Sequence, residues 1–197
     1  MTAATLSLSP ARPRRVLADL LPGALARDAV LVVAVAALTA LAAQVVIPVP
    51  GLPVPLTGQT FAVLLGAAAL GPWRGAAAQA VYLTAGVAGL PVFAGATAGW
   101  ESVAGASGGY LVGFLLAGVV VGALARRGAD RRALSTVGTY ALGTLAVYAV
   151  GVPWLAVSTG MPVGAALLSG AVVFLPGDAL KAALAAALLP TAWRFVR

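Results

Sequence analysis

Cysteine and histidine are both missing from this chain. Without a thiol there is no disulfide framework, no thiolate metal site and no cysteine nucleophile. Without an imidazole there is no histidine metal ligand and no histidine-based catalytic triad within the chain. Charge is scarce too: 9 % of residues are charged and 61 % are apolar, whereas a soluble domain carries about 25 % charged residues. So few charges cannot cover a soluble surface for a chain of 197 residues. A Gly-x-x-x-x-Gly-Lys-[Ser/Thr] phosphate loop is absent as well, so ATP hydrolysis by this chain is not expected.

What the chain has in quantity is long, Ala/Leu/Val-rich apolar runs without strand alternation. In lipid every backbone polar group must be satisfied internally, and non-alternating runs do this as helices. The expected class is therefore an all-α, polytopic membrane protein with about six transmembrane helices. A cytoplasmic N-terminal tail (1–27) should precede a six-helix transmembrane domain (28–197). The tail is not expected to be a signal peptide, because its arginines precede a run of about 19 apolar residues, long enough to span. The expected helices cover 29–47, 57–70, 76–89, 109–125, 134–157 and 177–195, with a further short helix over 163–174. Pro48-Val-Pro-Gly-Leu-Pro-Val-Pro55 should be an extended loop, Gly71-Pro-Trp-Arg-Gly75 a turn, 90–108 a Gly-rich connection, and Pro190 a kink.

Net charge is +7, but the basic residues gather at the ends of apolar runs, which indicates membrane orientation rather than nucleic-acid binding. Arg12, Arg14, Arg15 and Arg27 lie in the tail, Arg74 in the second loop, Arg126, Arg127, Arg131 and Arg132 in the fourth, and Arg194 and Arg197 at the end. The first, third and fifth loops hold no Lys or Arg. Six spans with both termini cytoplasmic satisfy the whole pattern.

Asp178 and Lys181 stand three residues apart, on one face of the last helix near its outer mouth. Ionisable groups at membrane depth are costly and usually mark function. The alternative is a mutual ion pair that closes a helix start, with Asp178 favoured by the helix dipole. Gln59 can donate and accept toward a polar head group or serve interhelical hydrogen bonding; Gln44 and Gln79 are weaker candidates of the same kind. Tyr82, Tyr110, Trp100 and Trp154 offer aromatic walls, although Trp also favours membrane interfaces. Ala36 and Ala40 belong to a strip of small residues, which allows close helix approach to this chain or to a partner. Gly105-Ala-Ser-Gly108 imitates the serine motif of rhomboid proteases, but those need a histidine base.

Five motifs occur in order: Pro53-Val-Pro-Leu-Thr-Gly-Gln-Thr-Phe61, Leu70-Gly-Pro-Trp-Arg-Gly75, Gly89-Leu-Pro-Val-Phe-Ala-Gly95, Ser107-Gly-Gly-Tyr-Leu-Val-Gly-Phe114 and Phe174-Leu-Pro-Gly-Asp-Ala-Leu-Lys181. Together they resemble the BioY family, the substrate-binding components of energy-coupling factor (ECF) biotin transporters, over about 29–189. The resemblance implies a plasma-membrane subunit that is not an enzyme, needs no cofactor or metal, and binds biotin near its outer face. It implies as partners a transmembrane coupling subunit and two cytoplasmic ATPases. It assigns substrate binding to Gln59, Asp178 and Lys181, with Phe93 and Tyr110 at the ends of a capping loop, and a coupling-subunit interface to Ala36 and Ala40. Ala106-Ser-Gly-Gly109 replaces the family's more usual Pro-Thr-Gly-Gly, and the third loop's only charge is Glu101.

Overall fold

The computed structural model describes residues 15–23 and 25–195; the expectations for Arg12, Arg14 and Arg197 lie outside the described residues. Among the described residues eight α-helices follow one another: α1 (Leu25–Ala43), α2 (Gln59–Leu70), α3 (Pro72–Val87), α4 (Trp100–Ala104), α5 (Gly108–Arg126), α6 (Ala133–Thr159), α7 (Val163–Gly170) and α8 (Leu175–Phe195). Two short strands, β1 (Val46–Ile47) and β2 (Leu56–Thr57), pair antiparallel between α1 and α2. Among the described residues, four stretches are long and apolar enough to cross a membrane: Leu25–Ala43, Gly108–Arg126, Ala133–Thr159 and the run Val163–Phe195. The chain is thus an all-α, polytopic membrane protein.

The six expected main helices correspond to α1, α2, α3, α5, α6 and α8, with shifted boundaries. α1 ends at Ala43, not at Ile47, because Val46 and Ile47 leave the helix to pair with Thr57 and Leu56. The four prolines between them forbid helix, so the expected extended loop returns as a small hairpin. Gly71-Pro-Trp-Arg-Gly75 is not a free-standing turn. Gly71 alone makes the corner, at φ 85° where glycine is favoured, and Pro72 opens α3 at its first position. The Gly-rich connection contains a 3₁₀ turn, Ala94–Ala96, and α4. α8 starts at Leu175, two residues earlier than expected, and continues through Pro190 to Phe195.

α5 is the central helix, packed against α2, α3 and α6. Small residues bring the backbones together. A Cβ on Gly118 would stand 3.0 Å from the Ala76 nitrogen, and one on Gly113 would stand 2.9 Å from the Val147 carbonyl. In lipid such close packing takes the place of a hydrophobic driving force between helices.

The tail is docked from Arg15 onward. Val16 is fully buried and precedes a 3₁₀ turn, Leu17–Leu20. Arg74 donates to Asp19 and to Asp28, both at 2.8 Å. Burial opposes ionisation of Asp19, but the hydrogen bonds from Arg74 and from the Val16 N–H outweigh it and hold the carboxyl below its ordinary 3.8. Arg131 donates to the Arg15 carbonyl at 3.1 Å. Beside it, burial pushes the Asp130 carboxyl up, against the hydrogen bond from Trp193. All described arginines lie at this end of the bundle, and the loops 44–58, 90–107 and 160–174 lie at the other.

Candidate functional site

At the arginine-free end a cavity of about 320 Å³ opens between the hairpin arm, the 93–107 loop, α5, α6 and the start of α8. That volume sits at the small end of ligand sites. α2 has 12 residues and so rises only about 18 Å. It starts inside the molecule, at Gln59, which is buried. The Pro53–Thr57 arm passes the cavity as one wall. Phe93, Leu111, Phe114 and Phe174 supply apolar surface; Thr60, Tyr148, Asp178 and Lys181 supply polar groups.

The polar groups form one network. The Tyr148 hydroxyl donates to Asp178 Oδ2. Lys181 Nζ donates to Thr60 Oγ1 at 2.6 Å and to Asp178 Oδ1 at 3.2 Å. An ammonium has three donors, so one proton of Lys181 stays uncommitted, and the Asp178 carboxylate keeps spare acceptor capacity. Asp178 occupies the first turn of α8, where the helix dipole favours an anion. Both side chains are partly exposed, Asp178 at 11 % and Lys181 at 23 %.

All five residues expected to bind substrate — Gln59, Phe93, Tyr110, Asp178 and Lys181 — line this cavity. Three of them are also tied into the scaffold. Gln59 Nε2 donates to the Tyr82 hydroxyl at 2.6 Å, and Gln59 Oε1 accepts from Thr57 at 2.8 Å. Tyr82 passes the chain on to the Val92 carbonyl. Phe93 meets Tyr82 edge-on, with ring centroids 5.5 Å apart. Tyr110 donates to the Gly170 carbonyl at 2.8 Å, which holds the end of α7 on α5.

The other candidates serve structure. Gln44 clasps the capping loop by donating to Phe93 O and accepting from the Ala96 N–H. Gln79 is buried and reaches Thr39. Trp154 donates to the Gly105 carbonyl, whereas Trp100 is exposed. Ser107 lines the cavity, and Lys181 is engaged by Thr60 and Asp178. Ala36 and Ala40, the small-residue strip of α1, lie on the side that faces this chain's own helices. Ala36 is 6 % exposed, within the chain's own core, and Ala40 packs half-buried against that core. Their small size lets α1 close on α2 and α3, where Val35 lies against Gly66 and Thr39 meets Gln79. The open face of α1 carries Val33, Ala34, Ala37, Leu38 and Leu41 instead. Tyr148 and Thr60 were not foreseen. Tyr148 sits in an apolar helix with no spacing signature, and Thr60 was legible only as a neighbour of Gln59.

A helical membrane bundle with a small, largely apolar cavity whose wall holds a single ion pair among the described residues defines a membrane protein with a small-molecule site. The BioY family model matches residues 11–197. The chain belongs to the BioY family. It is 36 % identical to a probable biotin transporter BioY of Pyrococcus horikoshii over 160 residues, covering 81 % of this chain and 92 % of that one. It is 34 % identical to the biotin transporter BioY of Rhizobium etli over 144 residues, 70 % and 76 % of the two chains. Among solved structures, the S-component for biotin from an ECF-type ABC transporter superposes with a TM-score of 0.76 at 24 % identity, over 86 % of this chain and 92 % of that one.

Proposed function

We propose that this chain takes up biotin across the plasma membrane as the substrate-binding subunit of an ECF-type ABC transporter. Family membership and relatives described as biotin transporters support the substrate. The observation that carries the site is the Asp178–Lys181 pair, the only ion pair in the cavity wall among the described residues. Biotin has a flat ureido group with two N–H donors and one carbonyl, an apolar thioether ring and a carboxylate-tipped chain. Asp178 accepts a ureido N–H. Gln59 has most of its amide capacity spent on Thr57 and Tyr82, so donation falls to Lys181, either to the ureido carbonyl or to the carboxylate. Phe93, Phe114 and Phe174 cover the ring. Uphill uptake needs ATP, and the chain has no nucleotide-binding motif, so a coupling subunit and ATPases complete the transporter.

The test titrates Asp178→Asn and Lys181→Met with biotin and with biotin amide. A charge-assisted hydrogen bond contributes roughly 1.5–3 kcal/mol, about ten- to a hundredfold in affinity, so each variant should weaken biotin by that factor. If Lys181 holds the carboxylate, Lys181→Met loses its effect against the amide and Asp178→Asn keeps its own. Unchanged affinity in both variants, together with lowered melting temperatures, would make the pair structural and remove it from the site.

A further inference from the structure

Opposite the ligand cavity, at the arginine-rich end, a second cleft of about 890 Å³ lies between the α5–α6 turn and the end of α8. Arg127, Arg131, Arg132 and Arg194 line it, and no acidic residue does. None of these four forms an ion pair among the described residues. The neighbouring acid, Asp130, is fully buried, does not line the cleft and accepts from Trp193 Nε1 at 2.6 Å; of the four arginines it interacts electrostatically with Arg131.

Two further features add to the excess of positive charge there. α6 begins at the cleft, with Arg132 as its cap, Ser135 in its first turn, no acidic residue in that turn and no capping side chain. A helix start normally attracts an anion or a polar cap; here it gains cations. Arg131 is held in place by stacking on Trp193, 4.4 Å from the ring centroid, and by its bond to the Arg15 carbonyl. Its Nε is buried with no partner. Four cations and an uncapped helix start converging on one space repel one another unless an anion lies between them.

We infer that this cleft binds the phosphodiester of an anionic phospholipid. Phosphate chemistry follows from the guanidinium forks and the helix start. A lipid rather than a soluble ion follows from the surroundings. Leu134 on α6 and Leu188 and Phe195 on α8 are exposed apolar side chains beside the cleft, so acyl chains can run along the bundle from a headgroup seated there. Basic pockets between transmembrane helices are the usual form of such sites.

The full chain, purified in neutral detergent, is titrated with phosphatidylglycerol, with phosphatidylcholine of the same chain length and with inorganic phosphate, and bound lipid is counted by native mass spectrometry. Phosphatidylglycerol should be retained over phosphatidylcholine. Arg132→Gln combined with Arg194→Gln should lower its affinity about thirtyfold, whereas Lys at both positions should keep most of it. If the double variant does not elute as one species, Arg194→Gln alone, at an exposed position, should lower it about fivefold. Equal retention of the two lipids, or a preference unchanged in the Gln variants, overturns the inference. Displacement of phosphatidylglycerol by millimolar phosphate would make this a soluble-anion site and overturn the lipid assignment.

Discussion

Tyr148 and Gln59 both reach the cavity with a polar group, yet they should behave differently on substitution. Tyr148 spends its hydroxyl on Asp178, a group proposed to touch the ligand. Tyr148→Phe keeps the ring beside Tyr110 and frees Asp178 to turn. Biotin should bind about tenfold more weakly, with melting temperature nearly unchanged, since about 1.4 kcal/mol is tenfold. Gln59 lies in a buried chain from Thr57 through Tyr82 to Val92. Gln59→Leu leaves the Tyr82 hydroxyl without its donor, which costs about 1–3 kcal/mol and should appear as lost stability before any loss of affinity. Calorimetric titration and thermal melting of both variants check this; the opposite assignment of effects would exchange their roles. Asp178, Lys181, Gln59, Phe93 and Tyr110 could be picked out because each sits in a short motif around Gly or Pro. Tyr148 could not: its partner is thirty residues away, and a tyrosine in an apolar helix looks the same when its hydroxyl finds no partner, as with Tyr140.

Among the elements, α1 shows where helical spacing stops being informative. A four-residue repeat of alanines identifies a face for close approach but not what approaches it, and in an Ala-rich helix several faces qualify. Here Ala36, Thr39 and Ala43 face inward, and Ala37 faces outward. Ala36→Leu should therefore destabilise the isolated chain by about 1–3 kcal/mol through overpacking, while Ala37→Leu should leave its melting temperature unchanged. Melting curves of the two variants in detergent separate the faces; an unperturbed Ala36→Leu would show that α1 can move off α2 and α3. The α2–α3 corner teaches a related point. Gly71-Pro72 reads as a turn because Gly and Pro punctuate turns, but the same pair also fits a one-residue corner between two helices. The hairpin between α1 and α2 is two residues per strand, too short for an alternation pattern to reveal.

For the molecule as a whole, the distribution of arginine proved more legible than any helix boundary. Every described arginine gathers at one end of the bundle, and the ligand cavity opens at the other. We propose six spans with both termini cytoplasmic, which puts the cavity outside. A reporter within Gly128–Asp130 should then read cytoplasmic and one at Gly105 external; the reverse at either place would contradict the arrangement.

The central claim is that the cavity holds biotin. The most direct measurement is to purify the chain from cells supplied with a mixture of vitamins and identify by mass spectrometry what it retains. The account predicts biotin, close to one per chain, and little of it in Asp178→Asn. Retention of a different vitamin, or an empty wild-type protein that still melts cooperatively and takes up no added biotin, would contradict it.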